Sequence, residues 1–345
     1  MEKITIKVPE FSTWAASSDL TPIKLPREGL ITEVKIRFAC TTAALTKTVT
    51  LENYRRTIQN LKIQGDGGHA YLGLSGPQMG RLLALLNEYE YGSAFLTPPV
   101  NIAATVAHRS WVFHPGSNPL DPFDMSVVIP AKALATLQVL LTTSANTLVD
   151  AAAAIASGYF YYEVNEVLEV NVPAGIMTPQ GSTMPWPHDS DHSDFSHNID
   201  VPGGAWLRRI IMMVQDDSAV PDLADDEVAG VKLKLPRTAS AQIETFWEEL
   251  KVESARFNRF PGRPNPVLVT TAEQYPPGLM EMVLPKGFAI LDLRKYFHPI
   301  WGANLTNFQT GDVKLGLTIE NYAAGDDTII YWDQLAPVDS KYVGK

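Results

Sequence analysis

With a single cysteine, Cys40, among 345 residues, the chain can form no internal disulfide, so packing alone must hold it together. Cys40 follows Phe38 and Ala39, an apolar setting that predicts a small buried hydrophobe rather than a nucleophile. No apolar run approaches the ~20 residues that a membrane-spanning helix needs. The opening Met1-Glu2-Lys3-Ile4-Thr5-Ile6-Lys7 alternates polar with apolar residues and lacks the hydrophobic stretch of a signal peptide. The expectation is a soluble protein made in a reducing compartment. Clustered Lys and Arg are also missing, and the net charge is -10. Direct, tight binding of nucleic acid is therefore not expected, because neutralising phosphates takes grouped cations. There is no G-x-S-x-G, no phosphate-loop G-K-[ST], no Cys/His nucleophile pair and no spacing typical of a catalytic triad. The expectation is a non-enzyme with no catalytic residue and no cofactor.

What is present is punctuation: 25 prolines and 23 glycines, spread along the whole chain. Proline removes a ladder donor and both residues make turns, so short apolar runs between them predict an all-β sandwich or barrel. In Leu30–Phe38, Val34, Ile36 and Phe38 fall on one face and Glu33, Lys35 and Arg37 on the other. Ile58–Ile63, Tyr159–Val164, Val228–Leu235, Val267–Thr271, Val313–Ile319 and Thr328–Trp332 also read as strands. Trp206–Val214 is apolar on both faces after Arg208 and Arg209, as a strand buried between two layers would be. Two helices are predicted. In Ser75–Tyr89, Met79, Leu82, Leu83 and Leu86 share a face; in Ser240–Val252, Ile243, Phe246, Trp247 and Leu250 do the same. The alanine-rich Leu148–Ala156 is a weaker third.

The matched helix spacing points to an internal repeat. Ile23 to Phe38 lies over Ile199 to Val214 without a gap, with Pro26 on Pro202 and Val34, Ile36 and Phe38 on Ile210, Met212 and Val214. Further matches follow in the same order: Ile58, Leu61 and Ile63 on Val228, Val231 and Leu233; Met79 on Ile243; Val128-Ile129-Pro130 on Val283-Leu284-Pro285; Ala145-Asn146 on Ala303-Asn304; Gly158 on Gly311. The shared order predicts two copies of one sandwich, residues 22–172 and 199–338, each with a short helix. Residues 1–21 read as an N-terminal arm, 173–198 as a linker or exposed loop, and 339–345 as a tail.

Few residues suggest chemistry. His188, Asp191, His192, Asp194 and His197, with Asp189, make a His/Asp-rich segment whose residue types ligate divalent cations. It has neither a helix-borne zinc motif nor the glycine of a calcium loop, and a solvated linker is the plainer reading. A cupin-type metal enzyme would need such ligands on strands. Gly65-Asp66-Gly67-Gly68-His69-Ala70 fits a dinucleotide fingerprint only in its letters, because Tyr71–Leu74 reads as extended; a hairpin turn is predicted. Asp216, Asp217, Asp222, Asp225, Asp226 and Glu227 read as an exposed acidic loop, and Glu163, Glu166 and Glu169 as strand residues whose three-residue spacing alternates their faces. Of the tryptophans, Trp206 and Trp247 fall on core faces, whereas Trp186 in the linker reads as a contact residue. Trp186 and Trp301 also motivate a second function, a two-domain carbohydrate-binding or carbohydrate-cleaving β-sandwich protein in which they would stack on sugars.

Taken together, the tandem sandwiches, the helix inside each, the strand entry Pro26-x-x-Gly29-Leu30 echoed by Pro202 to Trp206, and the closing Leu291-Asp292-Leu293 before Gly311 to Ile319 resemble the double jelly-roll major capsid proteins of tailless icosahedral viruses, the lineage that joins certain bacteriophages and archaeal viruses to adenovirus. The resemblance spans nearly the whole chain and is to the compact members of that family. It implies two antiparallel jelly rolls in tandem and a homotrimer whose six sandwiches form a pseudo-hexagonal tile of a capsid lattice, with strands perpendicular to the capsid surface. It further implies other capsid proteins as partners, such as a vertex protein, an internal viral membrane beneath, and synthesis in the host cytoplasm.

Overall fold

The computed structural model describes residues 2–42, 55–91, 106–116, 118, 121, 124–145, 155–216, 223–236, 242–257 and 286–345. Within them the first half contributes β1 (Glu2–Thr13), β2 (Ile23–Lys24), β3 (Leu30–Thr42), β4 (Ile58–Gly65), β5 (Ala70–Leu74), α1 (Met79–Tyr91), β6 (Val106–Phe113), β7 (Leu137–Thr143) and β8 (Ile155–Leu168). The rest contributes β9 (Met177–Pro179), β10 (Gly181–Pro187), β11 (His192–Asp200), β12 (Trp206–Gln215), β13 (Val228–Lys234), β14 (Gln242–Phe246), α2 (Trp247–Phe257), β15 (Phe288–Asp292), β16 (Ala303–Asn304), β17 (Lys314–Ile319) and β18 (Asp327–Pro337).

Strand order makes the repeat explicit. The first eight strands form one sheet in the order β1-β8-β3-β6 and another in the order β5-β4-β7-β2. From β10 onward, setting aside the two-residue β16, the same permutation recurs: β10-β18-β12-β15 and β14-β13-β17-β11. Both are eight-stranded jelly rolls, each a pair of Greek keys facing across a core. In both, the helix falls between the fifth and sixth strands. The chain is therefore all-β with two jelly rolls in tandem.

The two jelly rolls share a sheet. β5 and β10 pair in parallel, Gly181 opposite Leu72 and Ser182 opposite Gly73, so β5-β4-β7-β2 runs on into β10-β18-β12-β15. Alternation along β12 explains how the second of these half-sheets serves two cores. Ile210, Met212 and Val214 point into the second core with Trp332 and Ile330. Ile211 and Met213, with Phe288, Ile290, Ile329 and Tyr331, point the other way and join the first core. That is the strand apolar on both faces inferred from Trp206–Val214. The first core's centre is aromatic: Phe38 stacks on Phe160 with centroids 4.4 Å apart, and buried Trp111 donates its Nε1 hydrogen to the Gly80 carbonyl at 2.9 Å. Cys40 is buried in β3.

Several expectations need correction. Residues 1–21 are not a free arm: β1 pairs antiparallel with β8 from Glu2 opposite Leu168 to Thr13 opposite Tyr159. The span 173–198 is not a linker. It holds β9, β10 and the start of β11, and β10 pairs with β18 from Ser182 opposite Trp332 to Pro187 opposite Asp327. Prolines 185 and 187 fit there because residues on the far edge of β10 donate no ladder bond beyond Ser182. The second helix starts at Trp247, not Ser240; Ile243 and Phe246 belong to β14, which pairs with β13. Met79 therefore has no counterpart in Ile243. Gly158 lies inside β8 while Gly311 precedes β17, so these two are not equivalent. Ile155 and Ala156 begin β8 rather than end a helix; residues 148–154, 267–271, 283–285 and Asn146 lie outside the described residues. The Gly65–Ala70 segment is the turn of the β4–β5 hairpin, one short 3-10 turn with Gly67 at φ 64°.

The shared sheet closes over a small residue. A Cβ on Gly181 would run into the Tyr331 ring and hydroxyl on the neighbouring strand, and Tyr331 is itself packed into the first core. Gly181→Ala is expected to lower stability by about 1–3 kcal/mol through overpacking, read as a lower denaturant midpoint at unchanged slope.

Candidate functional site

Two places combine charge with burial, and two of the strands that end a sheet, β1 and β14, carry exposed aromatic residues. The first buried place is an ionic joint between the jelly rolls. Arg208 and Arg209 leave β12 side by side and both reach Asp333 on β18. Arg208 grips it with Nε on Oδ2 at 2.8 Å and Nη2 on Oδ1 at 3.1 Å, and donates from Nη1 to the carbonyls of Pro115 and Gly116 at 2.7 and 3.0 Å. Arg209 donates Nε to Asp333 Oδ2 at 2.6 Å and Nη1 to Glu90 Oε1, on α1, at 2.5 Å. The joint thus ties second-half strands to first-half helix and loop. Burial would push Asp333 up, but the guanidiniums of Arg208 and Arg209 outweigh it and hold the carboxyl down at about 2. Burial likewise opposes the charge on Arg209, and Asp333, Glu90 and Asp292 overcome it and raise its pKa.

The second place involves the His/Asp segment. His188 turns inward: its Nε2 lies 2.7 Å from Thr328 Oγ1 and its Nδ1 3.8 Å from Glu227 Oε2, both side chains buried. Asp191 accepts from the Tyr322 amide, and His192, at the start of β11, pairs with the exposed Asp189 at 2.6 Å. Asp194 and His197 fall on β11, with His197 opposite Leu317 on β17. His188 thus turns into the interior while Asp191 and His192 stay near the surface. Among the described residues, no group of three or more His, Cys, Asp and Glu side chains is placed to hold a metal ion.

The acidic loop is also more structural than its composition implied. Glu227 is 5% exposed, and burial, then Asp326, Asp226, Asp216 and Asp327, push its carboxyl up to about 8. Asp225 accepts from the Gly287 amide at 2.6 Å and pairs with Lys251 at 2.9 Å. Burial, reinforced by Asp326, raises Asp327 to about 6. In β8, Glu166 is fully buried, and burial takes it to about 7 against the opposing amide of Glu28. Sequence reasoning missed the His188–Glu227 and Glu90–Arg209 partnerships, and no local pattern could have supplied them, because each pair joins distant segments.

The aromatic platforms for sugars are taken. Trp186 is partly buried against the second core. Trp301 stacks on His298 at 4.6 Å and meets Trp206 edge-on at 5.4 Å. What does face solvent is Phe246 on β14, 67% exposed, and the cluster of Phe11, Tyr159 and Tyr161 at the β1–β8 edge, with Phe11 52% exposed.

Each charged place generates a prediction. Asp333→Asn leaves two buried guanidiniums short of their counter-ion and is expected to destabilise the chain by about 3–5 kcal/mol, measured by chemical denaturation. For pH, Glu227, Glu166 and Asp327 all hold their proton more tightly folded than unfolded. Their contribution is complete below the ordinary carboxylate range and is lost as pH rises through about 6, 7 and 8. Asp333 acts oppositely, its contribution fading as pH falls toward about 2. The melting temperature is expected to peak near pH 5 and to fall by pH 8.5, and Glu227→Gln to flatten that alkaline limb.

By sequence, neither a family model nor a curated protein matches this chain. By structure, the chain is similar to the STIV MCP (TM-score 0.71, 15% identity, 98% of each chain covered). It is also similar to a chain of the atomic structure of Sulfolobus Turreted Icosahedral Virus (TM-score 0.70, 16% identity, 98% of this chain and 92% of that one). A third likeness is to the PBCV-1 virus capsid (TM-score 0.63, 10% identity, 99% and 96%). These neighbours are viral major capsid proteins built as double jelly rolls, and that is the fold of this chain.

Proposed function

We propose that the chain is the structural major capsid protein of an icosahedral virion, assembling as a homotrimer whose six jelly rolls make a pseudo-hexagonal tile. The observation that carries this reading is the repeated strand permutation, β1-β8-β3-β6 then β10-β18-β12-β15, locked into one block by the shared sheet and the Asp333 joint. A tile that must bear lattice forces gains from such a block, since two sandwiches on a flexible tether would not hold a fixed mutual angle. The likeness to viral capsid proteins over 98% or more of the chain supports the same reading.

On this proposal the role is non-enzymatic and the chief partner is another copy of the chain. The virion shell is the location, reached after synthesis in the host cytoplasm, with a vertex protein and an internal viral membrane as further neighbours. A carbohydrate-binding role finds no support in the positions of Trp186 and Trp301.

Light scattering coupled to size-exclusion chromatography tests the proposal. A stable trimer is expected, with hexagonal outlines or ordered particles in negative stain. A strictly monomeric protein across concentrations would overturn it.

A further inference from the structure

Among the described residues six strands end a sheet, β1, β6, β2, β15, β11 and β14, and the way the chain joins itself singles out two of them. Within the chain, the fifth strand of the first jelly roll, β5, pairs in parallel with the first strand of the second, β10. The corresponding strands at the outer limits are β14, fifth in the second jelly roll, and β1, first in the first. Each ends its sheet, and among the described residues neither has a second strand partner. Resting on the capsid reading above, we propose that β14 of one copy pairs in parallel with β1 of a second copy, repeating between chains the joint that β5 and β10 make within one.

The repeat fixes the register. Val34 and Ile210 are equivalent by sequence; Val34 faces Val164, which faces Ile6 on β1, while Ile210 faces Trp332, which faces Ser182 on β10. Ile6 therefore stands where Ser182 stands, and Thr5 where Gly181 stands. Pro9 and Pro185 then coincide as well, each on an outer strand past the stretch that pairs. On the other side, Ile63 pairs with Leu72 and Leu233 with Ile243, so Ile243 stands for Leu72 and Glu244 for Gly73. The internal pairs Gly181–Leu72 and Ser182–Gly73 become Thr5–Ile243 and Ile6–Glu244 between copies.

Three features agree with this pairing. First, the two most exposed large hydrophobic residues described, Phe246 at 67% and Phe11 at 52%, lie on the two strands concerned. Phe11 forms a contiguous exposed aromatic cluster with Tyr159 and Tyr161, the kind of apolar patch that marks a contact surface. Second, the internal joint is clamped beyond its pairs by Thr183, whose Oγ1 accepts from the Ser75 amide at 2.7 Å and donates to the Ser75 carbonyl at 2.8 Å. Those positions map onto Lys7 and Phe246, an ammonium over an aromatic ring. Third, charge is complementary. The outer face beside β1 carries Lys3, Lys7, Lys35 and Arg37 against Glu33 and Glu163, with Arg37 paired to Glu163, whereas β14 and the start of α2 expose Glu244, Glu248 and Glu249, of which Glu244 pairs with Lys232 and Glu248 with Lys251 inside the chain and Glu249 adds a further negative charge. Exposed edge strands invite pairing, and a head-to-tail joint of this kind either closes into a ring or runs on as a filament. Three copies joined this way give six jelly rolls with the same neighbour on every side.

Cross-linking and charge reversal on the full chain test the joint. Lys7→Cys and Phe246→Cys chains, treated together with a short bismaleimide, are expected to give a mixed cross-linked pair, while neither alone gives one; the buried Cys40 makes the unaltered chain the control. Phe246→Lys, at an exposed site that tolerates change, is expected to weaken self-association more than tenfold in sedimentation velocity, and Lys7→Glu added to it to restore the trimer. If the unaltered chain forms trimers but Phe246→Lys forms them equally well and no mixed cross-link appears, the joint is wrong and the capsid reading stands. If each Cys variant cross-links to itself, the contact is isologous and the joint is overturned. If the unaltered chain remains monomeric, both fall.

Discussion

One carboxylate shared by two guanidiniums sets the relation between the halves of this molecule. Asp333 sits on a strand buried from both sides, where an uncompensated charge could not survive, and Arg208 and Arg209 reach it from the adjacent strand. Their remaining donors go to the first jelly roll, to Glu90 and to the carbonyls of Pro115 and Gly116. Well-packed hydrophobic residues could give as much stability at such a place. What apolar residues could not give is direction. Ile211, Met213 and Phe288 would tolerate a slide of one jelly roll across the other, whereas the fork geometry of a guanidinium on a carboxylate tolerates little. The ionic joint thus converts an oily contact into a fixed angle.

That constraint explains why the central half-sheet reads so differently from the others. β12 feeds Ile210, Met212 and Val214 to one core and Ile211 and Met213 to the other, so its pattern shows no polar face. β8 has only one core to serve, and its exposed Tyr159 and Tyr161 alternate with buried Phe160 and Tyr162. The counterpart of β8 in the second jelly roll is β18, whose Ile330 and Trp332 serve one core and Ile329 and Tyr331 the other, because only the second jelly roll has a neighbour on that side within the chain.

The same asymmetry governs what could be read in advance. The third strands, β3 and β12, were legible because Pro26 and Pro202 anchor an ungapped match whose apolar positions all lie in cores. The first strands were not. β1 and β10 are outer strands rich in polar residues, and Pro9, Pro185 and Pro187 disguise them as arm and linker. A helix was rightly expected near Trp247, but Ile243 and Phe246 fit its spacing by accident. Phe246 is exposed and Ile243 only partly buried on β14, and it is Trp247 and Leu250 that pack into the core. The His/Asp segment showed its composition and hid its geometry. His188 is buried against Glu227 while His192, at the start of β11, is partly exposed beside Asp189, a difference that composition does not encode.

A chain made of two equal units joined head to tail necessarily ends with one surface of each kind unsatisfied, however well its interior is packed. Here the fold treats the two ends unequally. β1 carries Pro9 and a bulge between Lys7 and Phe11, devices that blunt an edge against indiscriminate pairing. The same devices leave Glu2–Lys7 as a short, regular stretch, as long as the internal joint requires, since β5 and β10 pair over only two residues. An edge that is mostly blocked and open in one register excludes a random partner and admits a strand of matching length. That selectivity follows from where the prolines stand.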